Sequence, residues 1–312
     1  MPPRITLHFL PTPSTTIPPM RLTPLPILRQ NSTLGTSATG PVINVQQIPA
    51  PGSGHIRVLL LNRPKARNAL SRQLLDSLEK HIDGIAAEGG SGATRALVLG
   101  SNVDSAFCAG ADLKERVGFT KEETTAFLTQ LRQTFTKIAA LQIPTISAIS
   151  STALGGGLEL ALCTHMRVFG STSTVGLPET RLAIIPGAGG TYRLPAVVGE
   201  NKARDMILTG RRVTGAESYF MGLCNRLVEI TPEEEGRPDA AREKVLRESI
   251  NLALGICEGG PIAIKQALQA VEGYRKGEEA ENEAYAGVVE TEDRFEALKA
   301  FAEKRKPAFR GK

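Results

Sequence analysis

Glycines 155, 156 and 157 stand together in LGGGLELAL, 154–162, directly before an apolar run that carries one carboxylate, Glu159. Residues without a Cβ let a ligand approach the main chain closely. Unpaired N–H groups at a helix start, together with the positive end of the helix dipole, then suit an anion. The same glycines equally describe a close contact between a helix and a strand. A second small-residue turn, FCAGADLKE at 107–115, follows a strand-like run and sends Asp112 and Lys114 into the next segment. Alone, it reads as a connecting loop. In GLPETRLAIIPGAGGTYRL, 176–194, Glu179 sits behind a proline and beside a long apolar run, a common setting for a carboxylate that partners an arginine. The GAGG at 187–190 lacks the GxGxxG spacing of a dinucleotide loop and an acidic residue about 20 positions on.

An α/β frame is expected to position these stretches, because short β-branched runs alternate with longer helical ones from His55 onward. IRVLLL (56–61), RALVLG (95–100) and TISAIS after Pro144 read as strands, with shorter ones at 166–169 and 173–177. Ser71 caps a helix whose Leu74, Leu75, Leu78 and Ile82 recur at helical spacing, ended by GGSG at 89–92. A second helix is expected near 121–140, with Phe127, Leu131, Phe135 and Ile138 on one stripe. After Pro186 the pattern is mainly helical: 188–196, 200–208, 215–221, then four more segments.

Composition narrows the classes. With 41% hydrophobic and 22% charged residues over 312 positions, the chain can form a packed core. No stretch approaches the ~18–20 apolar residues of a membrane-spanning helix. The four cysteines, Cys108, Cys163, Cys224 and Cys257, form no CxxC pair. An aromatic fraction of 4% without Trp argues against a stacking platform for single-stranded nucleic acid. The four histidines, His8, His55, His81 and His165, form no ligand cluster, so no metal is implied. Acidic residues are absent before Asp76, whereas Arg4, Arg21 and Arg29 lie among many Ser and Thr, and eleven of the 20 prolines fall by Pro51. Residues 1–45 are accordingly expected to be a mitochondrial presequence or a disordered tail, with no packed core beginning there.

The motifs together resemble the enoyl-CoA hydratase/isomerase (crotonase) superfamily over about 55–312. The likeness runs from LNRPKARNALS through FCAGADLKER, LGGGLELAL and PETRLAIIPGAGGTYRLP to the terminal AFAEKRKPAF. CAGADLKER and LAIIPG point to the methylglutaconyl-CoA hydratase branch. The resemblance implies a spiral of ββα units over 46–240 and a helical trimerisation region over 241–312, in a homotrimer or a hexamer of paired trimers. It also implies hydration of the 2,3 double bond of an enoyl-CoA, in fatty acid or branched-chain amino acid breakdown in the mitochondrial matrix. No cofactor is implied, since coenzyme A is part of the substrate.

The residue roles it implies are specific. The Ala111 and Gly156 N–H groups would grip the thioester oxygen, where negative charge develops, each such donor typically worth ~2.7–4 kcal/mol of barrier. Glu159 would activate water and Glu179 would protonate Cα. Lys65, Ala66, Ala109, Ala111, Asp112, Leu113, Lys114 and Gly156 would line the coenzyme groove. Phe301 and Lys304 would reach the coenzyme of a neighbouring subunit. The cluster Lys304, Arg305, Lys306 also suits a solvated helix end. Two stretches depart from the family: Ser151 and Thr152 where glycine is usual, with strain expected if a positive φ is needed, and His165 where an aspartate is usual. Rival readings are Δ3,Δ2-enoyl-CoA isomerisation, RNA binding and a catalytically silent scaffold. The helix that would meet RNA carries only Arg72 and Lys80 against Asp76, Glu79, Asp83 and Glu88, which disfavours a nucleic-acid partner.

Overall fold

A computed structural model describes residues 40–312, so residues 1–39 of the leader expected at 1–45 lie outside the described residues. In chain order the elements are β1 (Ile43–Pro49), β2 (His55–Leu61), α1 (Arg72–Ala86), β3 (Thr94–Ser101), α2 (Leu113–Arg116), α3 (Lys121–Ala139), β4 (Thr145–Ile149), β5 (Thr152–Leu154), α4 (Gly156–Leu162), β6 (Met166–Gly170) and β7 (Thr174–Gly176). There follow α5 (Gly190–Val198), α6 (Glu200–Thr209), β8 (Arg212–Thr214), α7 (Gly215–Phe220), β9 (Arg226–Val228), α8 (Pro232–Glu235), α9 (Ala240–Cys257), α10 (Pro261–Glu272), α11 (Glu278–Val289) and α12 (Glu292–Ala302).

Six strands form one sheet in the order β1-β2-β3-β4-β6-β9, parallel except for the antiparallel β1–β2 edge. The period-2 geometry of strands divides their side chains between two cores. Ile56, Val58, Leu60, Ala96 and Val98 face α9 and its Val245, Leu246, Ile250 and Ala253. Leu59, Leu61, Leu97 and Leu99 face the larger core, which takes the predicted apolar stripes of α1 and α3. Burial on both faces is why these strands read as nearly continuous apolar runs.

The second sheet, β5-β7-β8, is short, and isolated bridges continue it. Cys108 pairs parallel with Ala153, and Leu70 pairs parallel with Ala111. A repeating path follows: a strand in the large sheet, a short extended stretch in the small sheet, then a helix. It runs β2–Leu70–α1, β3–Cys108–α2, β4–β5–α4 and β6–β7–α5. Each crossing from the small sheet to a helix frees main-chain N–H groups at one level of the molecule.

Several expectations are corrected. Residues 43–45, assigned to the leader, open β1, where Ile43 is buried; Pro41–Lys312 is one compact unit. The prolines mislead because Pro49 and Pro51 lie at the strand's end, where a missing N–H costs no ladder bond. The helical region from 241 is not wholly apart, since α9 covers one face of the sheet. β8 and β9 fall inside the stretch expected to be helical. Ser151 and Thr152 keep ordinary backbone angles, so the expected strain is absent. At His165 the imidazole Nδ1 accepts the Thr145 N–H at 3.1 Å and lies 2.7 Å from Thr145 Oγ1, while Nε2 meets Glu272 at 3.2 Å. An imidazole thus supplies an acceptor to the start of β4 and ties it to α10.

Ile43→Ala is expected to cost about 2–5 kcal/mol in urea unfolding, as for truncation of a buried isoleucine. An unchanged midpoint would place the start of the packed core after β1.

Candidate active site

The three glycines lead β5 into α4, and two of them are required for different reasons. Gly155 has φ +54°, and a side chain there would lie 2.9 Å from Glu179 Oε1. At Gly157 a Cβ would lie 2.1 Å from the Cys108 carbonyl oxygen. The close-contact reading therefore holds at Gly157, and at Gly155 and Gly156 the missing side chains leave a bare backbone wall against Glu179 and Leu70.

The two small-residue turns meet at this wall. A Cβ at Gly110 would lie 3.7 Å from the Gly156 nitrogen, and one at Gly156 would lie 4.0 Å from Gly110 Cα. Leu70 N–H donates to Gly110 O at 2.8 Å and Asp112 N–H to Leu70 O at 3.1 Å, bracketing Ala111. Among the described residues, neither the Ala111 nor the Gly156 N–H donates to a protein acceptor. Two free donors at neighbouring strand-to-helix crossings are groups that can stabilise an oxygen bearing negative charge.

Glu159 and Glu179 flank the same wall. A Cβ at Gly156 would lie 4.0 Å from Glu159 Oε2, and Glu179 Oε1 faces Gly155. The two acids are held differently. Glu159 Oε1 accepts the Ala188 N–H at 2.7 Å and the Gly190 N–H at 2.8 Å. Burial pushes its carboxyl above the ordinary range, while these donors and the charges of Arg193 and Arg132 pull it back. Glu179 sits at the start of the 3-10 turn Glu179–Leu182, and its buried Oε2 has no hydrogen-bond partner. Burial pushes its carboxyl up to about 7, against its own backbone N–H, with the charge of Glu159 adding to the rise. Of two chemically identical side chains, the better solvated by protein donors ionises first and the other keeps its proton. The arginine partner expected for Glu179 is not found: no ion pair of Glu179 is present among the described residues.

The GAGG segment, unhelpful as a nucleotide loop, is what holds Glu159 by its backbone. A run of small residues 29–31 positions after a buried carboxylate carries no spacing rule, so sequence reasoning missed it. Asn68 was missed as well. Buried and in the left-handed region at φ +55°, it accepts the Arg63 N–H at 2.7 Å and donates to Ser101 Oγ at 2.8 Å and Phe107 O at 3.0 Å. It thereby fastens the 63–68 loop to the turn bearing Ala111.

The remaining sequence-predicted residues are spread outward from this centre. Ala109 N–H donates to Arg67 O at 3.0 Å, which sets the turn Pro64–Ala66, carrying Lys65 and Ala66, beside it. Asp112 caps α2 and pairs with Arg63 at 3.0 Å, so it acts on the backbone of the turn and is not free to meet a ligand. Leu113 and Lys114 are exposed. Phe301 near the end of α12 and Lys304 just after it are exposed, and the structure does not bring them to the two glutamates. In the basic cluster, Arg305 is engaged by Glu296 and Glu303. The helix expected near 121–140 is α3, which starts with a capping box on Thr120 and Glu123 and is separate from α2, which ends at Arg116. Burial pushes the thiols of Cys108 and Cys163 up to about 12, which makes them poor nucleophiles.

Comparison with known proteins identifies the family and the fold. The sequence profile of the enoyl-CoA hydratase/isomerase family matches residues 52–312. An enoyl-CoA isomerase/hydratase of Zymoseptoria tritici is 60% identical over 270 residues, 86% of this chain and 88% of that one. The mitochondrial methylglutaconyl-CoA hydratase 1 of Pyricularia oryzae is 57% identical over 307 residues, 87% of each chain. A crystal structure of enoyl-CoA hydratase from Bacillus anthracis superposes with a TM-score of 0.77 at 36% identity, covering 87% of this chain and 100% of that one.

The proton on Glu179 has a stability consequence. Its folded-state pKa of about 7 exceeds the ordinary 4.5, so stability is fully present below about pH 4.5 and falls as pH rises through 7. Glu179→Gln should match the parent protein near pH 4.5 and exceed it by of order 1–3 kcal/mol at about pH 8. Parallel denaturation curves at the two pH values would contradict the buried, protonated carboxyl.

Proposed function

Because the chain belongs to the enoyl-CoA hydratase/isomerase family and is a hydratase-type enzyme with the crotonase fold, we propose how its residues divide the addition of water to a 2,3-enoyl thioester. The thioester oxygen lies between the Ala111 and Gly156 N–H groups. Glu159, ionised, takes a proton from water as the oxygen bonds to Cβ. The electron pair of the double bond moves toward the thioester oxygen, where the two donors stabilise it. Glu179 delivers its proton to Cα, and the proton on Glu159 returns to Glu179 through solvent to close the cycle. The observation that carries this reading is the unlike support of the two carboxylates: two backbone donors for Glu159, an orphaned buried oxygen for Glu179. A double-bond shift can proceed with one acid; two differently tuned acids favour hydration.

The substrate we infer is a short or branched enoyl-CoA of the 3-methylglutaconyl kind, supported by the name of the Pyricularia oryzae relative. Coenzyme A would lie along Lys65, Ala66, Ala109 and Leu113, with no further cofactor. A homotrimer, alone or paired into a hexamer, is supported by large apolar side chains exposed on α10 to α12 and the turn between them: Val271, Tyr274, Tyr285, Phe295, Leu298 and Phe301. A place in the mitochondrial matrix is supported by the acid-free, arginine-bearing opening of the sequence and by relatives named mitochondrial.

Glu159→Gln and Glu179→Gln should each lower kcat for hydration of crotonyl-CoA or 3-methylglutaconyl-CoA by about 10²–10⁴-fold, with acyl-CoA binding largely kept. Near-normal turnover in either variant would overturn the assignment. A 3-enoyl thioester shifted faster than a 2-enoyl thioester is hydrated would favour the isomerase.

A further inference from the structure

The loop that clasps Glu159 is itself held from behind. Each of the two N–H groups on the carboxylate belongs to a peptide group whose carbonyl also has a partner. The Gly190 N–H shares its peptide with the Gly189 carbonyl, which accepts the Arg193 backbone N–H at 2.9 Å in the first turn of α5. The Ala188 N–H shares its peptide with the Gly187 carbonyl, and that oxygen accepts Nε–H of the Arg132 side chain at 2.7 Å. Arg132 comes from α3, where Leu128 stands one turn earlier on the same face. A Cβ at Gly187 would lie 3.8 Å from Leu128 Cδ2, so the contact between α3 and the loop is close. The packing of α3 thus sets a guanidinium at one end of a peptide group that has Glu159 at the other.

A cation on a peptide oxygen draws electron density along the conjugated O–C–N unit, so the N–H at the far end becomes a stronger donor. The Arg193 side chain is placed differently. Its Nη1 donates to Ala188 O at 2.9 Å, and the N–H of that peptide is that of Gly189, which makes no bond to Glu159. Arg193 and the first turn of α5 therefore hold the loop independently of Arg132, which is exposed. Burial raises the Glu159 carboxyl, and the Gly190 and Ala188 N–H groups, then the charges of Arg193 and Arg132, act against that rise. Arg116 on α2, Glu179 on its 3-10 turn and Cys163 after α4 also lie within reach of its charge. Among the described residues, none of these three bonds to the carboxylate. We propose that Arg132 is a positioning residue that acts through the Gly187–Ala188 peptide to keep Glu159 in its proton-accepting form. This role rests on the hydratase reading above and adds to it the group that sustains the base.

The pH profile of kcat/KM for crotonyl-CoA hydration tests it, because its acid limb follows ionisation of the base in the free enzyme. Without Arg132 the base holds its proton to higher pH. Arg132→Met should move the acid limb upward by about half a pH unit or more, with the alkaline limb moving less. Arg132→Gln, a neutral donor to the same carbonyl, should move it as well, and Arg132→Lys should restore part of the parent position. An acid limb that stays in place in the methionine or glutamine variant overturns the role, even where kcat falls at every pH, since that fall marks only a displaced loop. Infrared difference spectra of each protein against its Glu159→Gln counterpart follow the same carboxyl without turnover. A parent protein that hydrates no enoyl thioester refutes the reaction, and the role of Arg132 then stands or falls on whether the infrared titration of Glu159 moves upward in Arg132→Met.

Discussion

The grip of two backbone N–H groups on one oxygen of Glu159 is the constraint around which the site is arranged. A carboxylate buried among apolar residues is costly to ionise, and the Ala188 and Gly190 donors offset that cost without bringing in a side chain that could compete for substrate. Because both donors lie on one segment, the loop that follows β7 must return over α4, and Gly189 and Gly190 let it come near enough. Glu179, earlier on the same stretch, has its Oε1 against Gly155. The backbone clasp on Glu159 thus sets the difference between the two acids.

Much of the frame was legible because local chemistry and tertiary packing agree. Ser71 accepts the Leu74 N–H at 3.2 Å, and the leucines of α1 are buried as their spacing demanded. The same holds for Phe127, Leu131, Phe135 and Ile138 on α3. Strands β2, β3 and β4 were legible because both of their faces are covered. Where the reading failed, the deciding partner was remote. β8 and β9 have three residues each, too few for a period, and exist because β7 and β6 offer ladders. β1 carries Asn44, Gln46 and Gln47 and ends on a proline, so no apolar period marks it, and its pairing with β2 orders it.

The site was legible in part for a similar reason. Glu159, Glu179 and the two glycine-rich turns lie in short stretches of unusual composition, so they stand out along the chain. Their mutual approach, the backbone clasp from 188–190 and the stapling by Asn68 are relations between separate segments, the clasp spanning 29 and 31 positions and the staple 33. No spacing within one segment encodes them. Asp112 shows the converse: a conspicuous carboxylate that the fold spends on a helix cap and on Arg63.

The small sheet continued by single bridges gives the molecule a division of labour. Main-chain donors at the ends of adjacent extended stretches inherit their spacing from strand pairing, which every side-chain type shares. The break between α2 and α3, by contrast, is framed only by caps and by Gly118. Side chains along that break can therefore change without disturbing the strand-paired donors, so selectivity and backbone geometry are separable in this fold.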